Sequence, residues 1–497
     1  MNRSSSWRVA AATATNIALY AVTGGHYLWL EGRMRHGTFR NWGHRYRYRP
    51  TRVVKPTSEA EIVELVRSSR RMRVFGSGHS FNEGVVSDDV LVSLDGYTGV
   101  VSCDLDRRRL TVRGGTRVRD VVRLLREEGW AFPALPSHDA QSIAGILATD
   151  VHGTGREHGF ISESVVSLTL VDGLGQVQHC EPSDDLFRAA VGGVGAVGII
   201  TEVTVQAVPR FNVRQKTESM DLLRVRTQLE QLLQDNEHLS LYLYPFTDTC
   251  QVNTWNSTER GQSRLGRLRE FGATSADALL AATLGSFLAH TKLLPHSRSW
   301  SRVTELLRRG TDLVLESDQA FNRSIYHLHQ ELEFTVDYSE VWDACERFLR
   351  LYEQMFPEGL PYTLVEVRFT PERHNRTLLG AGRDRRCAWI DLLSNDSDGF
   401  ERYFQAAVEL VRKLAARPHL GKYCEGITGA DLENVHGANL HRFHELMAEH
   451  DPDGTFSNAF TRQLFGTAGL AAPSDHTERA KGDTPTADAR RAQVAPG

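Results

Sequence analysis

At 497 residues, with 40% hydrophobic and 24% charged side chains, the chain has the composition of a folded globular protein with more than one domain. Its net charge of -4 gives no basic footprint, which excludes nucleic acid as the main partner. The six cysteines (103, 180, 250, 345, 387 and 424) show no C-x-x-C pair and no metal-ligand spacing, so reduced thiols, a cytoplasmic setting and no metal are expected.

Residues 1–37 read as an N-terminal extension. The apolar run from 8 to 30 is interrupted by Asn16, two glycines and His26, which suits neither a signal-peptide core nor a membrane span. A peripheral helix or a poorly ordered segment is expected there, and no membrane partner.

From 38 to 209 the chain alternates short β-like runs (RMRVFGSG, VLVSLDG, RLTVRGG, VVSLTLVDGLG, GIITEVTVQAV) with helical patterns. Ser58 followed by Glu61 marks a capping box for the first helix, and Gly129 stops the second. Between 210 and 416 longer helical patterns appear, separated by strands such as LSLYLYPF, LVEVRFT and CAWIDLL; a sheet with helices on one face is expected. A last folded stretch covers 417–466, and 467–497 has the composition of a disordered tail.

Three small-residue clusters carry the candidate chemistry. In the first, a β-run feeds Gly76-Ser77-Gly78-His79-Ser80-Phe81-Asn82, where successive backbone N–H groups can form a nest for phosphate, with His79 at its lip. A glycine turn with an incidental histidine explains that loop alone equally well. The second cluster, Gln141 to Gly155, places small residues along a flat-backbone segment suited to the face of a large planar ligand. The third, Gly192 to Thr201, contains G-x-G-x-x-G at Gly193, Gly195 and Gly198. There a helix-like DDLFRAAV precedes and a β-run follows, the reverse of the dinucleotide-binding order, so a Rossmann site is rejected.

These clusters, with V-E-V-R-F at 365–369, R-P-H-L-G-K at 417–422 and D-P-D-G-T-F-S-N at 451–458, occur in one order and spacing. The chain thereby resembles the vanillyl-alcohol oxidase (PCMH-type FAD-binding) superfamily, and within it the alditol oxidase and aldonolactone oxidase branch. The resemblance implies an α+β protein: a PCMH-type FAD-binding domain (38–209, with 417–466 returning to it) and a second α+β cap domain for substrate (210–416). It implies FAD bonded through its 8α-methyl group to His79, with Gly76, Ser77, Gly78, Ser80 and Asn82 beside it. It further implies that Ser142, Gly145, Thr149, His152, Gly153 and Gly155 line the ring and pyrophosphate, that Gly195 and Ile200 hold the adenine end, and that His419 and Asn458 return to the flavin.

Oxidising an alcohol with a flavin needs an aimed C–H bond, a receiver for the hydroxyl proton and a cation near the reduced ring. Glu366 and Arg368 lie two apart on a strand and share a face; Lys422 joins them by resemblance as the residue near flavin N1. An isolated V-E-V-R-F is more often an exposed strand face, and it is the company of the other motifs that favours a site. The substrate-pocket pattern departs from alditol oxidase at Ile146, Asp150-Val151, Leu420 and Asp391, and Ile146 and Asp391 are expected to meet substrate. His441, His444 and Glu445 are read as a helix face, and His327 and His329 are left unassigned. The implied activity is FAD-dependent oxidation of a CH–OH group in a polyol or sugar lactone, a small-molecule alcohol, with O2 as acceptor. The alternatives are a non-sugar substrate on the same fold, a dehydrogenase with another acceptor, and a flavin-binding protein without turnover.

Overall fold

Local signals set the first elements. Ser58 Oγ accepts the Glu61 N–H at 3.3 Å, while the Glu61 carboxylate takes the Thr57 N–H at 2.8 Å, so the reciprocal bond falls one residue before the cap. The helix it opens, Glu59–Ser68, buries Ile62, Leu65 and Val66. Strand Met72–Phe75 follows and pairs in parallel with Val90–Ser93, which also pairs with Arg52–Val54. A five-stranded antiparallel sheet comes next, in the order Val177–Cys180, Val165–Val171, Ile199–Gln206, Arg109–Arg113, Val100–Asp104. Helix Asp185–Ala190 precedes the glycine run and strand Ile199–Gln206 leaves it, the order read from the sequence. The computed structural model describes residues 37–279 and 310–466 except 88, 324–326, 374, 375, 383 and 396–398, plus scattered positions up to 35. The expected extension therefore lies largely, and the tail wholly, outside the described residues.

One expectation fails in this half. The segment expected to run flat between Gln141 and Gly155 contains a short helix, α1 (Ile143–Ala148). Ser142 Oγ caps it by accepting the Gly145 N–H at 3.2 Å, and Ile143, Ala144, Ile146 and Leu147 are buried.

The second half is built on an eight-stranded antiparallel sheet. Its order is Thr311–Glu316, Asn212–Asp221, Thr249–Thr258, His238–Leu243, Thr363–Thr370, Cys387–Asn395, His329–Asp337, Arg417–Pro418. Three central strands carry the site: β1 (His329–Asp337), β2 (Thr363–Thr370) and β3 (Cys387–Asn395). Along β2 the residues Val365, Val367 and Phe369 are buried while Glu366 and Arg368 point the other way. Helices Leu222–Asp235, Val341–Met355 and Phe400–Lys413 bury their apolar stripes in the core with these strands. Helix Gly266–Leu279 borders the cavity above the polar side, so the expectation of helices on one face is incomplete. No helix among the described residues is long and apolar enough to cross a membrane.

Candidate active site

The loop after strand Met72–Phe75 lines a cavity together with α1, β1 and residues 419–422. Gly78 sits at φ +64°, and a Cβ on Gly76 would meet Ser142 Oγ at 1.8 Å, so glycine is required where loop and helix cap touch. Among the described residues no protein acceptor meets the N–H groups of Ser77, Gly78, His79 and Ser80. Four consecutive unengaged amides on a cavity wall fit an anionic ligand such as a pyrophosphate. Asn82 fixes the loop to the C-terminal segment by donating to the carbonyls of Leu420 (2.6 Å) and Lys422 (2.9 Å). The Phe81 N–H donates to the Gly421 carbonyl at 3.0 Å.

His79 stacks on Trp42 with ring centroids 5.7 Å apart and lies 4.4 Å from the His138 ring. Among the described residues its Nε2 is buried without a hydrogen-bond partner. Burial, then His138, Arg117 and Arg119, hold its pKa well below 6.5, so the ring is neutral.

Opposite the loop lies a buried charged cluster set by sheet register. Glu333 faces Asp391 across β1 and β3, and Asp391 faces Glu366 across β3 and β2. Arg368 bonds Glu333, reaches Asp391 at 3.4 Å and approaches Glu366 at 4.0 Å. Lys422 bonds Glu331 and lies 3.5 Å from Glu333 and 3.4 Å from Asp391. His329 contacts Glu331 at 2.8 Å, and His152 contacts Glu333 at 3.0 Å. Against the burial that would raise it, Arg368, Lys422 and His152 hold Glu333 well below the ordinary carboxylate value. Burial, followed by Glu331, pushes Asp391 well above its ordinary value, and burial raises Glu366.

With Glu331, Glu333, Glu366 and Asp391 facing Arg368 and Lys422, acids outnumber fixed cations, and a proton on Asp391 relieves the excess. An acid raised on folding binds a proton that the unfolded chain has released, so it costs stability as pH rises from the unfolded value toward the folded one. The cost is about 1.4 kcal/mol for every pH unit over which the two states differ by that proton. Asp391→Asn, isosteric and untitratable, is therefore expected to raise the melting temperature more at pH 8 than at pH 5, as thermal denaturation at both pH values will measure. An equal loss at both would mean that the cluster requires a carboxylate there.

A second cavity, of 330 Å³, lies over the polar side of the sheet and is lined by Ser240, Tyr242, Gln251, Asn253, Glu366 and Arg368 among others. Arg368 and Ser137 border both cavities, and Glu366 lines the second one beside Arg368.

The first cavity thus gathers Gly76, Ser77, Gly78, His79, Ser80, Asn82, Ser142, Gly145, Ile146, Thr149, His152, His419 and Lys422 as the sequence suggested. Six suggested residues lie elsewhere. Asn458 caps helix Ala459–Phe465 and donates to the carbonyls of Glu83 and Val86, both at 2.9 Å. The Gly195 carbonyl accepts from the buried Arg73 guanidinium at 3.3 Å, and Ile200 is a core strand residue. Gly153 borders the second cavity, while the Gly155 N–H is taken by the Phe369 carbonyl at 2.9 Å. Asp391 sits beneath Arg368 and Lys422, bordering neither cavity. Asp150, expected at the pocket rim, instead pairs with the buried Arg373 and accepts the Ser162 hydroxyl at 3.0 Å. Sequence reading also passed over Glu331 and Glu333, although they continue the alternation of His327 and His329 along the same strand face.

His152, Glu333 and His419 bring ligand atoms within 4.8 Å of one another, a spacing open to a metal ion. Their bonding favours another role. Glu333 already carries Arg368, and His419 Nδ1 accepts the Gly421 N–H at 3.0 Å. Burial lowers the His419 pKa to about 4 and keeps that ring neutral.

Comparison with known proteins places this geometry. Residues 50–181 match the family model for an FAD binding domain, and residues 203–464 match that for D-arabinono-1,4-lactone oxidase. L-gulono-1,4-lactone dehydrogenase of Mycobacterium tuberculosis is 28% identical over 86% of this chain and 98% of its own. D-arabinono-1,4-lactone oxidase of Saccharomyces cerevisiae is 30% identical over 54% of this chain and 52% of its own. L-gulonolactone oxidase of Mus musculus is 24% identical over 86% and 98%. The fold is shared with cholesterol oxidase from B. sterolicum, at a TM-score of 0.68 and 17% identity over 86% of this chain and 96% of that one. A family match spanning more than half the sequence makes this chain a member of the D-arabinono-1,4-lactone oxidase family of FAD-dependent oxidoreductases.

Proposed function

We propose that the protein oxidises a ring or chain carbinol of an aldonolactone, with FAD attached through His79 and O2 as the acceptor, giving hydrogen peroxide. The observation that carries this reading is that the two cavities share Arg368, with Glu366 beside it on the wall of the second. When bound, FAD supplies a two-electron acceptor for the hydride of the substrate carbinol carbon. Glu366 receives the hydroxyl proton, for which its raised pKa suits it. Arg368, locked by Glu333 and Asp391, holds the substrate oxygen in place. Lys422 keeps a fixed positive charge beside the ring-binding cavity, its pKa raised by Asp391, Glu331 and Glu333 against the lowering effect of burial. The unengaged amides of the 77–80 loop suit the pyrophosphate. The same reading assigns 38–209 and 417–466 to the flavin side and 210–416 to the cap. The free cysteines suit a cytoplasmic setting.

The test is anaerobic titration of the yellow protein with L-gulono-, D-arabinono- and L-galactonolactone and a panel of alditols, then admission of air. Bleaching by a lactone with peroxide formed in air is expected. Bleaching without peroxide would replace O2 by another acceptor. If only non-sugar alcohols bleach the protein, the lactone reading fails.

A further inference from the structure

The second cavity extends well beyond the reacting carbon. Arg368 pairs with Ser240, Ser240 with Asn253 and Asn253 with Thr217, a polar row crossing four adjacent strands on one face. Gln215, on the outermost of these strands, faces Trp255 directly. Three interstrand steps separate it from the strand of Glu366, or ~14 Å. All of these side chains border one continuous cavity. A single sugar ring held at Glu366 and Arg368 leaves the far end unused.

The far end has a character of its own. Trp255 is fixed by donation from its Nε1 to the Ala320 carbonyl at 3.0 Å, and Phe321 and Leu313 border the same space. Among the described residues Gln215 Oε1 is buried there with no hydrogen-bond partner, an acceptor left for a ligand donor. Along the floor between the ends, Asn253 Nδ2 donates to Ser240 Oγ at 3.3 Å, and its Oδ1 accepts from Gln251 (2.8 Å) and Thr217 (3.0 Å). An aromatic wall with one hydrogen-bond acceptor matches a second sugar ring, which offers a C–H face and hydroxyl donors together.

We propose that the preferred substrate is a lactone or alditol of disaccharide size, its second ring seated between Trp255 and Gln215. This rests on the lactone-oxidising reading above. The experiment compares kcat/KM for matched pairs on the holoenzyme: gluconolactone against maltobionolactone, and sorbitol against maltitol. The two-ring member is expected to be favoured by about tenfold or more, the scale on which one added contact surface discriminates. In Trp255→Ala and in Gln215→Leu that ratio should fall toward one. Partial misfolding lowers both rates together, so the ratio isolates the distal contact. A wild-type ratio at or below one, with single-ring substrates oxidised, overturns this inference alone. A ratio that persists in both variants overturns it as well. Failure of every member of both pairs while L-gulono-1,4-lactone still reduces the bound flavin overturns this inference alone, and failure of L-gulono-, D-arabinono- and L-galactonolactone as well overturns the underlying reading with it.

Discussion

Glu366→Gln is expected to lower kcat by about 10²–10⁴-fold, the usual contribution of a positioned general base. Glu366 lines the second cavity beside Arg368, which borders both cavities and whose Nε stands 4.0 Å from the Glu366 carboxylate. Burial raises its pKa, and Arg368 and Arg323 offset part of that rise. A base must be ionised to accept a proton, so wild-type kcat/KM falls as pH drops through the raised value. Glutamine cannot titrate, so the variant loses that acid limb and keeps a flat, low profile. It can still hydrogen-bond a hydroxyl, so KM should change far less than kcat. Steady-state kinetics across pH for both proteins checks this. A variant that keeps more than a tenth of the activity, with the same acid limb, would move the base to another residue.

The sequence made part of this site legible, and the reasons differ by residue. The glycine loop could be read because a strand followed by Gly-Ser-Gly-His has few backbone solutions, and the pairing of Gly76 with Ser142 narrows them further. Glu366 and Arg368 could be read because strand alternation fixes which side chains share a face. Glu331 and Glu333 show the same alternation, yet a polar strand face meets either solvent or a cavity. Only the docking of residues 419–423 against β1, through the His419 N–H to the Glu333 carbonyl at 2.9 Å and the Tyr423 N–H to the Glu331 carbonyl at 2.8 Å, decides between them. Asp150 was misplaced because its partner Arg373 is 223 residues away and no local pattern announces the pair. Asn458 and Gly195 misled for the opposite reason: asparagine beside a turn and glycine in a run serve caps and close approaches as readily as ligands. Asp391 was expected to meet substrate, whereas its register with Glu333 and Glu366 sets it against Arg368 and Lys422, a placement that strand alternation alone does not announce.

His79→Ala should abolish covalent flavin while leaving the fold and dissociable binding intact. The argument rests on the atom. His79 Nε2 is buried on the cavity wall, its ring is neutral, and no protein donor or acceptor holds it. A neutral imidazole exposes the Nε2 lone pair for bond formation in its Nδ1–H tautomer, and burial keeps the ring neutral throughout the physiological pH range. The loop amides, the Asn82 anchor and the small residues of α1 do not depend on the imidazole, so the variant should still purify yellow. Denaturation in acid followed by gel electrophoresis should show a fluorescent wild-type band and a dark His79→Ala band. His138→Ala is the discriminating control, because its ring lies 4.4 Å from that of His79. A band that stays fluorescent in His79→Ala and darkens in His138→Ala would transfer the attachment to the neighbour. A dark wild-type band with yellow supernatant would leave the cofactor bound by the loop alone.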